Sequence, residues 1–535
     1  MPQHEPLILT WIEAADIVSL MSLLFVILIM SEVEDFFVFS DTATTEIFSL
    51  SLHDALPIFM VEDGGDNYNS DQADWAEAMV TLEDGSTVRL GDLPLLAETL
   101  PERSGSPVPF SFLYDGKSSD ELLPTWRYSE YTERLDEARK QRTIEYLDPA
   151  TGLLVKCIAV EYDDFPIVEW TVYLTNTGDE PTPLVSQLMG LDVTFPVTKE
   201  PLLHHFTGSV CEPRDYQPLV TSLPEGASKR ITTGGGRPTN SDMPYFNLET
   251  GTGGVIAAIG WPGQWATDFL GKGDSLRLAG GQETTHFSLQ PGETARGPLV
   301  VLQWYEGDWQ RAQNIWRRWM LAHNTPRPHG KPLQPMASAC NGNHYPGIIT
   351  NATEELHFLQ RYVEEDLKPD FWWQDAGWYQ CDPEGWPRTG TWEVEPSRWP
   401  KGLREVSDWC HEQAIGVIVW FEPERVFEGT YLWDRHPDWI LGYGGGQGLL
   451  NLGLPEVQRW LVTHMSRLME KQGIDVYRQD FNIDPLGYWQ SGDSTDRRGL
   501  TENLYCQGYL AWLDEFLARQ GGALMDSCAS GGRRN

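Results

Sequence analysis

Val476-Tyr-Arg-Gln-Asp-Phe-Asn482 is the stretch on which the reading of this chain turns. Apolar residues run straight into Arg478 and Asp480, and residues two apart in a strand point to the same side, so both side chains belong to one pocket. A cation beside a carboxylate favours its charged form, which a carboxylate nucleophile needs. The same pair can also be a plain structural ion pair at a strand end.

Working outward, similar short apolar runs recur near residues 336–341, 371–378, 416–424 and 523–527, with helical stretches between them. The clearest helix carries Val457, Leu461, Met465, Leu468 and Met469 on one face and is stopped by Gly473, the residue best suited to a left-handed cap. Alternating β and α at this spacing indicates a parallel sheet with helical crossovers. Acids, amides and tryptophans crowd the C-terminal ends of the strands, where a (β/α)8 barrel places its site.

Three further constellations lie at those strand ends. In Phe371-Trp-Trp-Gln-Asp-Ala-Gly-Trp378, Asp375 is bracketed by Trp373 and Trp378; an aromatic face beside a carboxylate suits a sugar, stacked on one side and hydrogen-bonded on the other, although core packing gives the same pattern. Val419-Trp-Phe-Glu-Pro-Glu424 puts Glu422 and Glu424 on one strand face. Ser527-Cys-Ala-Ser-Gly-Gly-Arg-Arg534 is a glycine-rich loop directly after a strand; it does not match the phosphate-cradling GxxxxGK[ST], so close approach of backbone to a ligand is the better use of its glycines. Asp526 is expected to support this loop by capping its backbone N–H groups.

Upstream the grammar is different. Between about residues 60 and 305, β-branched and aromatic runs are punctuated by turns such as Asp148-Pro-Ala-Thr-Gly152 and Asn176-Thr-Gly178, which reads as a β-sandwich. A helix around 308–322 and the proline-rich passage His323-Asn-Thr-Pro-Arg-Pro-His-Gly-Lys-Pro-Leu-Gln-Pro335 make 306–335 a linker. The expected fold is therefore β plus α/β: an N-terminal β-sandwich, then an incomplete (β/α)8 barrel of the TIM type over 336–535, first five strands only.

Residues 1–59 stand apart. The first sixty contain no Lys or Arg, and their apolar run, 17–30, is shorter than a membrane span and lacks a basic flank. Ser51-Leu-His-Asp-Ala-Leu-Pro-Ile58 resembles a sequencing-library adapter translated in frame, so this segment is expected to be artefactual or disordered, with the true start near Met60.

The net charge is −39, and still −30 without those sixty residues, which argues against nucleic acid or an anionic membrane surface as partner. Seven scattered Cys with no CxxC pair suggest reduced thiols in a cytoplasmic setting, and 12 His without HExxH spacing suggest no metal site and no cofactor.

Taken together, the Trp-rich second strand, Trp-Phe-Glu-Pro-Glu at the third, Arg-Gln-Asp-Phe-Asn at the fourth and Ser-Cys-Ala-Ser-Gly-Gly at the fifth resemble glycoside hydrolase family 36, the α-galactosidases. The resemblance implies a retaining glycosidase with Asp480 as nucleophile, sugar contacts at Asp375, Trp378, Trp392, Arg478, Cys528 and Gly531, and α-galactoside oligosaccharides as substrates. It implies a homo-oligomer at full length. Family members often carry Asp-Asp-Gly-Trp where this chain has Asp375-Ala-Gly-Trp378, which weakens a strict galactose preference, and an expected arginine gives way to Gly442-Tyr-Gly-Gly-Gly-Gln-Gly448. The family's acid/base aspartate lies on the sixth strand, expected past Asn535, so these 535 residues alone are expected to show little turnover. Transglycosylation of the raffinose-synthase type, and non-catalytic carbohydrate binding, stay open as alternatives.

Overall fold

The computed structural model describes residues 108–341, 349–382, 388–521 and 524–534, together with the backbone of five short strands before residue 90. Residues 1–96 and 97–535 form two compact units. In the first, Leu23–Ile29 pairs antiparallel with Phe37–Asp41 and Pro57–Glu62. Most of the adapter-like segment, 51–56, and the expected sandwich start near Met60 lie outside what is described of side chains.

Within the second unit, the β-rich region forms a ten-stranded and a four-stranded antiparallel sheet and four strands of a five-stranded one, whose edge strand Arg497–Arg498 comes from downstream. Turn chemistry sets the hairpins. Asp148 Oδ1 accepts the Ala150 N–H at 3.0 Å, and Gly152 has φ +78°, with Gly178 N only 2.7 Å from where a Cβ would stand; Leu153–Tyr162 then folds back on Arg139–Leu147 in the register Leu147↔Leu154. Inward-facing residues of these sheets, among them Val155, Val172, Phe269 and Leu278, share one apolar core. Trp309–Trp319 follows as a helix capped by Asp308, whose Oδ1 accepts the Arg311 N–H at 2.8 Å.

Downstream, five short strands line up in parallel and in chain order: Ser338–Ala339, Phe371–Gln374, Gly416–Phe421, Val476–Gln479 and Met525–Ser527. The second, third and fourth stop at Gln374, Phe421 and Gln479, so that Asp375, Glu422 and Asp480 leave the ladder and turn into the loops above. The crossover helix Pro455–Gln472 buries the five apolar residues expected of it and ends on Gly473 at φ +66°, ψ +46°, whose N–H bonds the Met469 carbonyl. The last helix, Leu500–Arg519, joins both cores: Leu500 and Cys506 pack with the β-rich region, Trp512 and Phe516 with the parallel sheet.

Candidate active site

Asp480 is the first residue past the fourth parallel strand, with its N–H on the Phe421 carbonyl at 2.7 Å and 7% exposure. Four neutral donors hold its carboxylate, two on each oxygen. Oδ1 accepts from the N–H groups of Phe481 (2.7 Å) and Ser530 (3.1 Å); Oδ2 accepts from Trp420 Nε1 (3.0 Å) and Asn482 Nδ2 (2.7 Å). These fill the lone-pair directions a carboxylate offers, which fixes its orientation.

Arg478 departs from expectation. It lies on the same strand but its Nη1 bonds Asp526 Oδ2, and its guanidinium lies 4.1 Å over the Trp373 ring. The reason is register: Arg478 stands directly opposite Asp526 on the adjacent fifth strand, so that carboxylate takes the cation. Asp526 accordingly pairs with Arg478 instead of capping the glycine-rich loop. Asp375, at the end of the second strand, accepts the Ala376 N–H at 2.7 Å; burial lifts its carboxyl above the ordinary range, with Arg478 pulling it down and Asp480 pushing it up.

Trp378 and Trp392 are core residues here, 0% and 2% exposed, their ring centroids 6.0 Å apart, with Trp378 Nε1 donating to the Trp420 carbonyl at 3.0 Å. Neither presents a ring face to solvent, because both pack with Phe421 beneath the strand ends. Cys528 and Gly531 do sit beside the nucleophile. The Cys528 N–H bonds the Gln479 carbonyl at 2.7 Å, its sulfur accepts the Gly531 N–H at 3.4 Å, and burial, with Asp480 next, pushes its thiol up to about 11.

The two glutamates of the third strand part company. Glu422 accepts the Asn482 N–H and is pushed up to about 7 by burial, against the pull of Arg425. Glu424, 0% exposed, takes both arms of Arg534, at 2.7 and 2.9 Å, and the Gln479 amide at 2.7 Å. The chain leaves the strand at Phe421, so the alternation that would have aligned them is broken.

Sequence reading missed the contribution of the β-rich region. Thr239 Oγ1 donates to the Gly532 carbonyl at 2.6 Å, Tyr216 OH to the same carbonyl at 3.2 Å, and Cys211 Sγ to that of Ser530. The glycine-rich loop is thus clamped from outside the parallel sheet. Gly234-Gly-Gly236 was the signal that some backbone there comes unusually close to another.

The Melibiase family model matches residues 353–535, which contain every strand-end motif above except the first strand's. Alpha-galactosidase AgaA of Geobacillus stearothermophilus is 24% identical over 449 residues, covering 79% of this chain and 58% of that protein. Alpha-galactosidase Mel36A of Lactobacillus acidophilus is 29% identical over 140 residues, 25% of this chain and 19% of that protein. The chain therefore spans less than two thirds of these relatives. Among solved structures, AgaA superposes with TM-score 0.65 at 17% identity, covering 81% of this chain and 62% of that one, and the alpha-galactosidase from Lactobacillus brevis with 0.66 at 17%, covering 90% and 67%. At such identity the likeness speaks of fold, and these neighbours combine a TIM barrel with a β-rich domain. Residues 353–535 thus match the Melibiase family, and over most of its length the chain has the fold of solved glycoside hydrolase family 36 α-galactosidases.

Proposed function

We propose that this chain carries the nucleophile half of a retaining α-galactosidase. The observation that supports it most is the buried Asp480 carboxylate, held by two neutral donors on each oxygen at the C-terminal end of a parallel strand, with Asp375, Arg478 and Cys528 around it. Asp480 attacks the anomeric carbon of a terminal α-linked galactose and forms a β-linked glycosyl-enzyme; a second displacement by water restores the α configuration. The attacking oxygen gives up one of its two donors as the sugar enters. The proton for the leaving oxygen comes from a second carboxyl group, about 5–5.5 Å from the nucleophile as retaining enzymes require. The β-sandwich and (β/α)8 barrel with a division at 306–335, the cytoplasmic location and homo-oligomeric assembly belong to the same proposal.

Asp375, Arg478, Cys528 and Gly531 would meet the sugar's hydroxyls, while Trp378 and Trp392 form the floor under them. Stachyose and raffinose are bound in solved structures of AgaA variants, and oligosaccharides of that class are the proposed substrates here. An α-galactosyl donor with an activated leaving group needs no protonation, so it tests Asp480 by itself. The protein mass should rise by one fluorogalactosyl residue when a ring-fluorinated donor of this kind traps the intermediate, and Asp480→Asn should abolish the increase. Equal incorporation in that variant would contradict the proposal, and retention of oligosaccharide binding with no covalent step in the unaltered chain would favour a binding protein.

A further inference from the structure

Three of the four donors to Asp480 belong to residues that a single guanidinium of the β-rich region ties together. Arg237 is 4% exposed. Its Nη1 donates to the Phe481 carbonyl and to Ser530 Oγ, each at 3.3 Å, and its Nη2 meets Asp484 Oδ1 at 2.7 Å. Phe481 and Ser530 are the two residues whose N–H groups hold Asp480 Oδ1. Ser530 Oγ in turn donates to Asn482 Oδ1 at 2.5 Å, and Asn482 Nδ2 holds Asp480 Oδ2.

This chain of bonds has a direction. A hydroxyl that accepts from a guanidinium turns its own proton elsewhere, here to Asn482 Oδ1, and an amide whose oxygen is thus occupied presents its NH2 to Asp480. Arg has no acceptor and is always charged, so it can set the polarity of the relay in one sense only.

The surrounding backbone is shaped to deliver that side chain. Gly235 and Gly236 have φ of +68° and +86°, and a Cβ on them would come within 2.7 Å of the Asp484 carboxylate and of the Trp489 ring respectively. The loop therefore lies flat against the segment that follows Asp480, with the Leu486 N–H on the Gly235 carbonyl at 3.2 Å. From behind, Gln264 accepts the Gly236 N–H at 2.9 Å and donates to the Thr233 carbonyl at 2.6 Å, while Trp265 Nε1 donates to the Pro238 carbonyl at 2.6 Å.

We propose that Arg237 is a positioning residue for the nucleophile: through Phe481, Ser530 and Asn482 it orients the Asp480 carboxylate from the β-rich region. This rests on the reading of Asp480 as nucleophile, so its test has two arms. Amide hydrogen exchange compares the full chain with Arg237→Gln and Arg237→Lys. The 479–484 and 528–534 segments of Arg237→Gln should exchange about tenfold faster, the loss of one net hydrogen bond, with Lys between the two and the hairpin 153–176 unchanged. In the second arm, trapping by the activated galactosyl donor should slow at least about tenfold in Arg237→Gln and be partly restored in Arg237→Lys. Unchanged exchange in both segments, or a rise spread evenly over the whole molecule in both variants, overturns the inference. If the unaltered chain takes no label, the nucleophile reading falls, and exchange alone decides whether Arg237 orders these loops.

Discussion

Asp480 reads from sequence as a strand-end acid beside a cation, and the acid stands where expected while the cation gives its hydrogen bond to a different carboxylate. Same-face geometry was legible because it depends only on the two-residue period of a strand. Partnership was not, because it depends on which residue of the neighbouring strand falls in register, and here that is Asp526 against Arg478. The same holds for Glu424. Nothing near it in sequence announces that a buried Arg534, 110 residues on, will meet it with both arms while stacking 3.9 Å over Phe481 and 4.1 Å over Tyr509. Removing one member leaves the other charge buried and unpaired, so Arg534→Leu should cost about 3–5 kcal/mol of stability, measured by urea unfolding. The exposed pair Arg361–Glu365, by contrast, should cost under about 1 kcal/mol when broken.

Elements with one solvent face were the readable ones. The hairpin at 147–154 has its turn written in Asp148 and Gly152, and Pro455–Gln472 has its stripe and its glycine stop. Leu500–Arg519 carries no such stripe, because it is wedged between two cores and is apolar on opposite sides. That position also buries Glu502, which accepts from Trp261 Nε1 at 2.9 Å and the Gln264 N–H at 2.8 Å and is pushed up to about 8 by burial. A carboxyl whose folded-state pKa is raised stabilises fully below its unfolded value, near 4.5, and that stability is lost as pH climbs through about 8. Glu502→Gln keeps an acceptor for both donors but cannot ionise. Its melting temperature should therefore fall less between pH 5 and pH 8 than that of the unaltered chain; parallel profiles would show that Glu502 does not carry the pH dependence.

Across the whole molecule, a chain of contacts runs from that helix to the nucleophile: Glu502 holds Gln264, Gln264 holds the 233–237 loop, and Arg237 reaches Phe481 and Ser530. The order of the two structural regions could be read from the change in hydrophobic rhythm near residue 306, whereas their mutual dependence could not, since a run of three glycines says that something approaches closely without saying what. The glycine-rich loop 528–534 accordingly belongs to both regions. All of this construction converges on one carboxylate, and the most direct measurement is where a trapped sugar is attached. Peptide mapping by tandem mass spectrometry, after reaction with a fluorinated, activated α-galactosyl donor, should find the galactosyl ester on Asp480 alone. An ester on Asp375 or Asp526 would contradict the account.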